Sequence, residues 1–244
     1  MLFLDHFYIS LAADKFHSLK EFFNNFSSSA SYKVNSNSGS WEGIYPFQKQ
    51  GAFPEFLLAS DRNPLGQIGI AYSDVENNFL EKDILKKYPT IDWLTETQTK
   101  EDGSDYYCSI HPKQQPEHSL YLWILDWHGE MKEKRRNYGK SEENPFDYLT
   151  DLTLRLNQES FQHLEKQISW LAVDSKLETS RSEFSVMQYH GQKLKIKLEE
   201  AASQEQSLKM TLKCNRDIST LVTQKNWSCQ IEYSTEHLII DTKD

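Results

Sequence analysis

The chain has 244 residues, with 38% hydrophobic and 13% aromatic content, enough to bury a substantial core and suited to two small domains. Its 27 Lys plus Arg against 36 Asp plus Glu leave a formal charge of −9, which argues against a nucleic-acid or anionic-membrane surface as partner. Three cysteines (Cys108, Cys214 and Cys229) show no CxxC or metal-type spacing, no apolar run approaches membrane length, and the opening segment lacks the basic start of a signal peptide. A cytoplasmic location is therefore expected.

Residues 2–11 alternate as a strand, with Phe7, Ile9 and Leu11 on one face and His6, Tyr8 and Ser10 on the other. Asp14 reads as the cap of a helix whose apolar positions are Phe16, Leu19, Phe23 and Phe26. Extended pieces follow at 31–35, 41–48 and 52–60, the last two joined by a turn at Gln50-Gly51. The pattern then restarts: a strand at 66–73, a helix through Phe79, Ile84 and Leu85 that ends before Pro89, and extended pieces around 92–98, 105–111 and 118–127. Residues 129–146 are charged and rich in Gly, Pro and Asn, so they read as a solvated linker that contains the basic run Lys132–Arg136.

A third copy begins at 147. An offset of 145 sets Leu4 on Leu149, Phe7 on Leu152, Ile9 on Leu154, Leu11 on Leu156, Phe16 on Phe161 and Leu19 on Leu164, while His6 becomes Asp151. Its helix carries Phe161, Leu164, Ile168 and Leu171, and its strands lie at 183–190, 193–198 and 207–213. A short helix near 217–223 and strands at 227–233 and 237–241 end the chain. The expected organisation is α+β: tandem βαβββ modules in curved mixed sheets over 1–128, a linker at 129–146, and a degenerate, truncated copy at 147–244. Chemistry is expected in the first copy only.

The residues Asp5-His6-Phe7, Pro54-Glu55-Phe56 and Gly66-Gln67-Ile68-Gly69-Ile70, in that order on paired βαβββ modules, resemble the vicinal oxygen chelate superfamily of glyoxalases, extradiol dioxygenases and bleomycin-resistance proteins. More narrowly, the opening with Gly43-Ile-Tyr and Phe53-Pro-Glu-Phe looks like a bacterial glyoxalase-like family. The resemblance implies a cupped sheet holding one divalent metal (zinc, nickel, iron or manganese), with His6, Glu55 and Gln67 as its ligands. The fourth ligand position falls at Tyr121 or Trp123, where the family has Glu. Strand parity puts His6, Tyr8, Glu55, Gln67, Tyr121 and Trp123 on one face, with Gly69 and Ala71 leaving volume beneath them, and Trp41 and Tyr45 join as candidate pocket aromatics.

A His6–Glu55 pair suits bracing the sheet first, metal ligation second and acid–base work third. Two functions of different class stay open: a metal-assisted lyase, isomerase or dioxygenase, and a non-enzymatic protein that sequesters a small molecule. A homodimer is compatible with either. In the C-terminal copy Asp151, Lys195 and Ser207 fall at the positions of His6, Glu55 and Gln67, which leaves no cation site there.

Overall fold

In the computed structural model the protein is α+β, and the residues described are 2–27, 29–36, 39–78, 80–99, 105–114, 120–137, 143–164, 183–188, 192–201, 206–219, 228–233 and 236–243. The first half runs β1 (Phe3–Leu11), α1 (Ala13–Phe23), β2 (Ser29–Ser36), β3 (Gly39–Pro46) and β4 (Phe53–Leu58). It continues with β5 (Ile68–Ser73), α2 (Leu80–Lys87), β6 (Trp93–Thr99), β7 (Asp105–Pro112) and β8 (Leu120–Trp127). These strands form one eight-stranded sheet in the order β2-β3-β4-β1-β5-β8-β7-β6. The pairs β1·β4 and β5·β8 are parallel, and β1 meets β5 antiparallel at the sheet's centre.

The second sheet has six strands and repeats the centre of the first. Its elements are β9 (Phe146–Leu156), β10 (Glu183–Met187), β11 (Lys193–Glu200), β12 (Ser207–Cys214), β13 (Gln230–Tyr233) and β14 (His237–Asp241), in the order β10-β11-β9-β12-β14-β13. Here β9 runs parallel to β11 and antiparallel to β12, as β1 does with β4 and β5. Ser207 sits opposite Arg155, the positions that correspond by the repeat to Gln67 and Ser10. On the other flank Asp151 pairs with Lys195, whereas His6 pairs with Phe53. Lys197, opposite Thr153, is therefore the register equivalent of Glu55, and the expectation for Lys195 is two residues off. From Lys197 to Ser207 the second copy is two residues shorter than the first is from Glu55 to Gln67.

Helix α1 lies between the two sheets, which is why both Phe22 and Phe23 are buried when simple periodicity asks only for Phe23. Phe23 stacks on Phe56 of β4 and meets Phe146 of β9 edge-on, while Phe22 approaches Tyr233 of β13. Lys15 Nζ donates to the carbonyl of Thr242 at 2.8 Å. Asp14 does not cap this helix: the capping position is Ala12, without a side-chain hydrogen bond, and Asp14 sits in the first turn, where its charge opposes the helix dipole. One continuous hydrophobic core joins Phe7, Ile9 and Leu11 to Leu149, Leu152 and Leu154, so residues 1–128 and 147–244 share their interior. The polar faces of β9 and β11 point away from it, with Asp151, Lys193, Lys195 and Lys197 exposed.

Residues 129–137 are not a solvated linker. They form helix α3 (Gly129–Asn137), and Met131, Lys132 and Arg135 are buried. Lys132 Nζ donates to the carbonyl of Asn77, and Arg136 reaches the carbonyl of Val75. In the third copy a helix is described over 158–164; Ile168 and Leu171, and residues 220–223 of the short C-terminal helix, lie outside the described residues, and 217–219 are not helical. Among the described residues no helix is long and apolar enough to cross a membrane.

The two sheets are also tied by Gln188, which is fully buried. Its Nε2 donates to the carbonyl of Leu149 at 2.7 Å, and its Oε1 accepts from the Ala52 amide at 3.1 Å. Gly51, at φ +83°, leaves the room: a Cβ there would stand 2.5 Å from Gln188 Oε1. Gln188→Met removes both bonds inside the core, and each stranded buried group costs about 1–3 kcal/mol. Urea unfolding should show the variant losing stability on that scale. Wild type should unfold in a single transition, because the halves share one interior.

Candidate functional site

Alternation in β1 divides the protein's apolar residues into two clusters. Phe7, Ile9 and Leu11 enter the shared core. On the opposite face Tyr8, Leu57, Ala71, Trp123, Leu125 and Trp127 form a separate cluster with Val75 and Met131, and Trp41, Tyr107 and Tyr121 pack against it. This second face lines a cavity of about 340 Å³, whose walls carry nine rings of Phe, Tyr and Trp.

Alternation alone would aim Asp5 away from this cavity. The register of β1 against β5 shifts between Leu4 and His6, so Asp5 is an extra residue at a β-bulge. The same shift recurs at Thr150, 145 residues on. The bulge frees the Asp5 side chain to sit next to His6, where it is 1% exposed.

Donors from four side chains converge on Asp5. Arg135 Nε lies 3.1 Å from each carboxylate oxygen, and Arg135 Nη2 donates to the Asp5 carbonyl at 2.8 Å. Trp127 Nε1 donates at 3.0 Å, Ser73 Oγ donates as well, and His6 Nδ1 is 2.7 Å away. Burial pushes the Asp5 pKa up, but the Arg135 charge and the His6 and Ser73 hydrogen bonds overcome it and hold the carboxyl far below the usual carboxylate range. With Asp5 ionised, His6 Nδ1 carries the proton of their hydrogen bond. His6 Nε2 consequently faces the cavity.

The His6 ring is fixed on its other sides by Phe53, stacked at 5.1 Å, and by Trp123, edge-on at 5.3 Å. Glu55 Oε1 lies 3.7 Å from His6 Nε2, too far for a hydrogen bond. Burial raises the Glu55 pKa; the His6 charge lowers it, Asp5 adds to the rise, and Arg135 opposes it. Two carboxyl groups on neighbouring strands are thus driven apart: Asp5 is held ionised, and ionised Glu55 is costly.

All eight candidate residues line this one cavity: His6, Tyr8, Trp41, Tyr45, Glu55, Gln67, Tyr121 and Trp123. Of the three candidate metal ligands, only His6 and Glu55 come together. Gln67 belongs opposite Ser10, whose amide donates to the Gln67 carbonyl. That places Gln67 four residues along β1 from His6, roughly 13 Å at the rise of a strand. Its Oε1 accepts the Tyr8 hydroxyl at 2.9 Å. Directly across β5 from His6 stands Ala71, and Ala71 pairs with Trp123 of β8. Among the described residues no group of three or more His, Cys, Asp and Glu side chains is placed to hold a metal ion.

Nor does Gly69 leave open space. The Tyr8 ring lies across it, and a Cβ at Gly69 would come within 2.0 Å of that ring. Along one wall, Trp41 Nε1 donates to the Tyr45 hydroxyl at 2.9 Å and the Arg62 guanidinium covers the Trp41 ring at 5.1 Å. Sequence reasoning missed Phe53, Tyr107, Arg62 and Trp127 as lining residues, although Trp127 follows Tyr121, Trp123 and Leu125 in the same alternation.

Among known proteins, no family model and no curated protein matches the chain. A crystal structure of a hypothetical protein from Staphylococcus aureus is similar at 9% identity, over 83% of this chain and 87% of that one, with a TM-score of 0.48.

The two carboxyl groups give opposite pH signatures. The depressed Asp5 pKa contributes stability that is whole above about pH 4, the unfolded carboxylate value, and is lost as the pH falls towards the folded value. The raised Glu55 pKa favours the fold below the unfolded value, and that contribution disappears as the pH rises. Arg135→Met should therefore cost about 3–5 kcal/mol at pH 7, the usual penalty for stripping one partner from a buried pair. Glu55→Gln should raise the melting temperature at pH 7 and leave it nearly unchanged at pH 3.5. Thermal melts of both variants at the two pH values check the assignment.

Proposed function

We propose that the chain is a glyoxalase-like protein whose cup, formed by residues 1–128, binds a small organic molecule without a metal. The observation that carries this reading is the cavity of about 340 Å³, walled by nine aromatic rings on a sheet face separate from the core. The family resemblance is supported by the sheet order and by the parallel β1·β4 and β5·β8 pairs flanking an antiparallel centre.

The metal that the resemblance implies does not fit the residues present. His6 and Glu55 supply two donors, but the neighbouring positions on β5 and β8 are Ala71 and Trp123, which supply none. Gln67 is a strand's length away and already accepts from Tyr8. Binding and retention of the ligand then fall to the aromatic walls, with His6 and Glu55 orienting it. The six-stranded sheet is a structural buttress with a wet outer face, and a cytoplasmic site of action belongs to the same proposal.

A second reading, proton transfer on the bound molecule, draws on one observation. The Asp5 hydrogen bond fixes the His6 tautomer and turns Nε2 towards both the cavity and Glu55. Incubation of any identified ligand with the protein, followed by mass and NMR analysis, separates turnover from simple binding.

A panel of aromatic small molecules, read by thermal shift and by quenching of the cup tryptophans, should yield ligands for wild type. Ser109→Phe, which fills the cavity from β7, should abolish their binding while keeping the fold. Binding that survives this variant places the ligand elsewhere and ends the reading. Protein purified without chelator or affinity metal should hold less than about a tenth of an equivalent of divalent metal and gain none on titration. One equivalent, lost on His6→Ala, restores the metalloenzyme.

A further inference from the structure

We infer that the molecule taken by the cup is an organic cation, an ammonium or similar nitrogen cation on a flat apolar body, with its charge seated against Glu55. The inference rests on the ligand-binding reading and adds the ligand's charge to it. It starts from the charges around the cavity floor. Asp5 and His6 face Glu55 from β1, and Arg135 faces it from α3. Arg135 is committed to Asp5 through Nε and Nη2, so that pair is neutral as a unit. His6 donates to Asp5 through Nδ1, and its Nε2 stays 3.7 Å from Glu55. Among the described residues no hydrogen-bond donor reaches the Glu55 carboxylate, whose side chain is only 14% exposed. At the mouth, exposed Arg62 and Glu96 oppose each other in sign. Glu55 is the charge left over.

A buried carboxylate without a partner is costly, and a bound cation removes that cost. The walls suit the same ligand. Trp123 is inclined at 45° to Tyr8 and at 46° to Tyr121, with centroids 5.6 and 5.2 Å apart, so the three rings make an angled shell rather than a flat slot. Ring faces of Trp and Tyr attract cations through their quadrupoles. The protein already uses this wall material for its own cations, Arg62 over Trp41 and Arg135 over Phe53 at 5.0 Å. An anionic ligand would instead meet both Glu55 and Glu96.

A matched trio of probes tests this by calorimetry on the full chain: naphthylmethyl-trimethylammonium, naphthylmethanol and naphthylacetate, each titrated into wild type and Glu55→Gln. The cation should bind wild type at least about tenfold more tightly than the alcohol, and Glu55→Gln should bring that ratio down to about one, whatever the alcohol's own affinity in the variant. Equal binding of cation and alcohol, preference for the acetate, or a cation preference that persists in Glu55→Gln overturns the inference and leaves the ligand-binding reading standing. No binding by any of the three overturns it too, and the ligand-binding reading falls with it only if the wider aromatic panel also gives nothing.

Discussion

Asp5 carries its charge inside the protein, and the functional end of the molecule is arranged around that fact. Arg135 answers it from α3, an element with no counterpart among the described residues of the second copy, and in doing so anchors that helix to β1. Ser73 from β5 and Trp127 from β8 reach the same carboxylate, so one buried anion ties β1, β5, β8 and α3 together. A buried ion pair seldom adds much net stability, because desolvation offsets the attraction. Its consequence here is orientation. His6 is held in one tautomer and one rotation, with its second nitrogen turned to the cavity.

The second sheet gives this arrangement a rigid back. Helix α1 would expose either Phe22 or Phe23 on a single sheet; between two sheets it buries both. Gln188 and the backbone bonds from residues 49 and 50 to 146 and 147 hold the sheets in register at the start of β4, two residues before Glu55 in the chain's path through the cup. The six-stranded copy therefore contributes to the site without lining it. Its own outer face, with Arg155 paired to Asp241 and Glu199, is built for water.

Much of this was legible in the sequence because it follows from periodicity. The alternation of Phe7, Ile9 and Leu11 against His6 and Tyr8 separates core from cup, and the offset of 145 carries the same frame into β9. What was not legible depends on contacts distant in sequence. The bulge at Asp5 is a matter of register against β5, and nothing in Leu4-Asp5-His6 announces it. Lys132–Arg136 reads as solvated because charge runs usually are; Arg135 is buried only because Asp5 is there to meet it. Gln67 and Lys195 share the right parity with the site, but parity fixes a face, not a height along the strand. Pairing with Ser10 and Asp151 supplies the height, and it moves both away from the places that spacing alone suggests.

The two copies treat the same positions differently. At the position of His6 the second sheet has exposed Asp151, and at the register of Glu55 it has exposed Lys197, which pairs with Glu199 on the wet face. The first sheet does the reverse: it buries a histidine against one ionised carboxylate and sets a second carboxylate, reached by no hydrogen-bond donor among the described residues, among aromatic rings. A fold optimised for stability would replace Glu55 by a neutral residue, since its charge is opposed by burial and by Asp5. Glu55 instead lines a ring-walled cavity, and no hydrogen-bond donor among the described residues reaches its carboxylate. On the proposed reading, a cationic ligand would supply the charge that the folded protein alone does not.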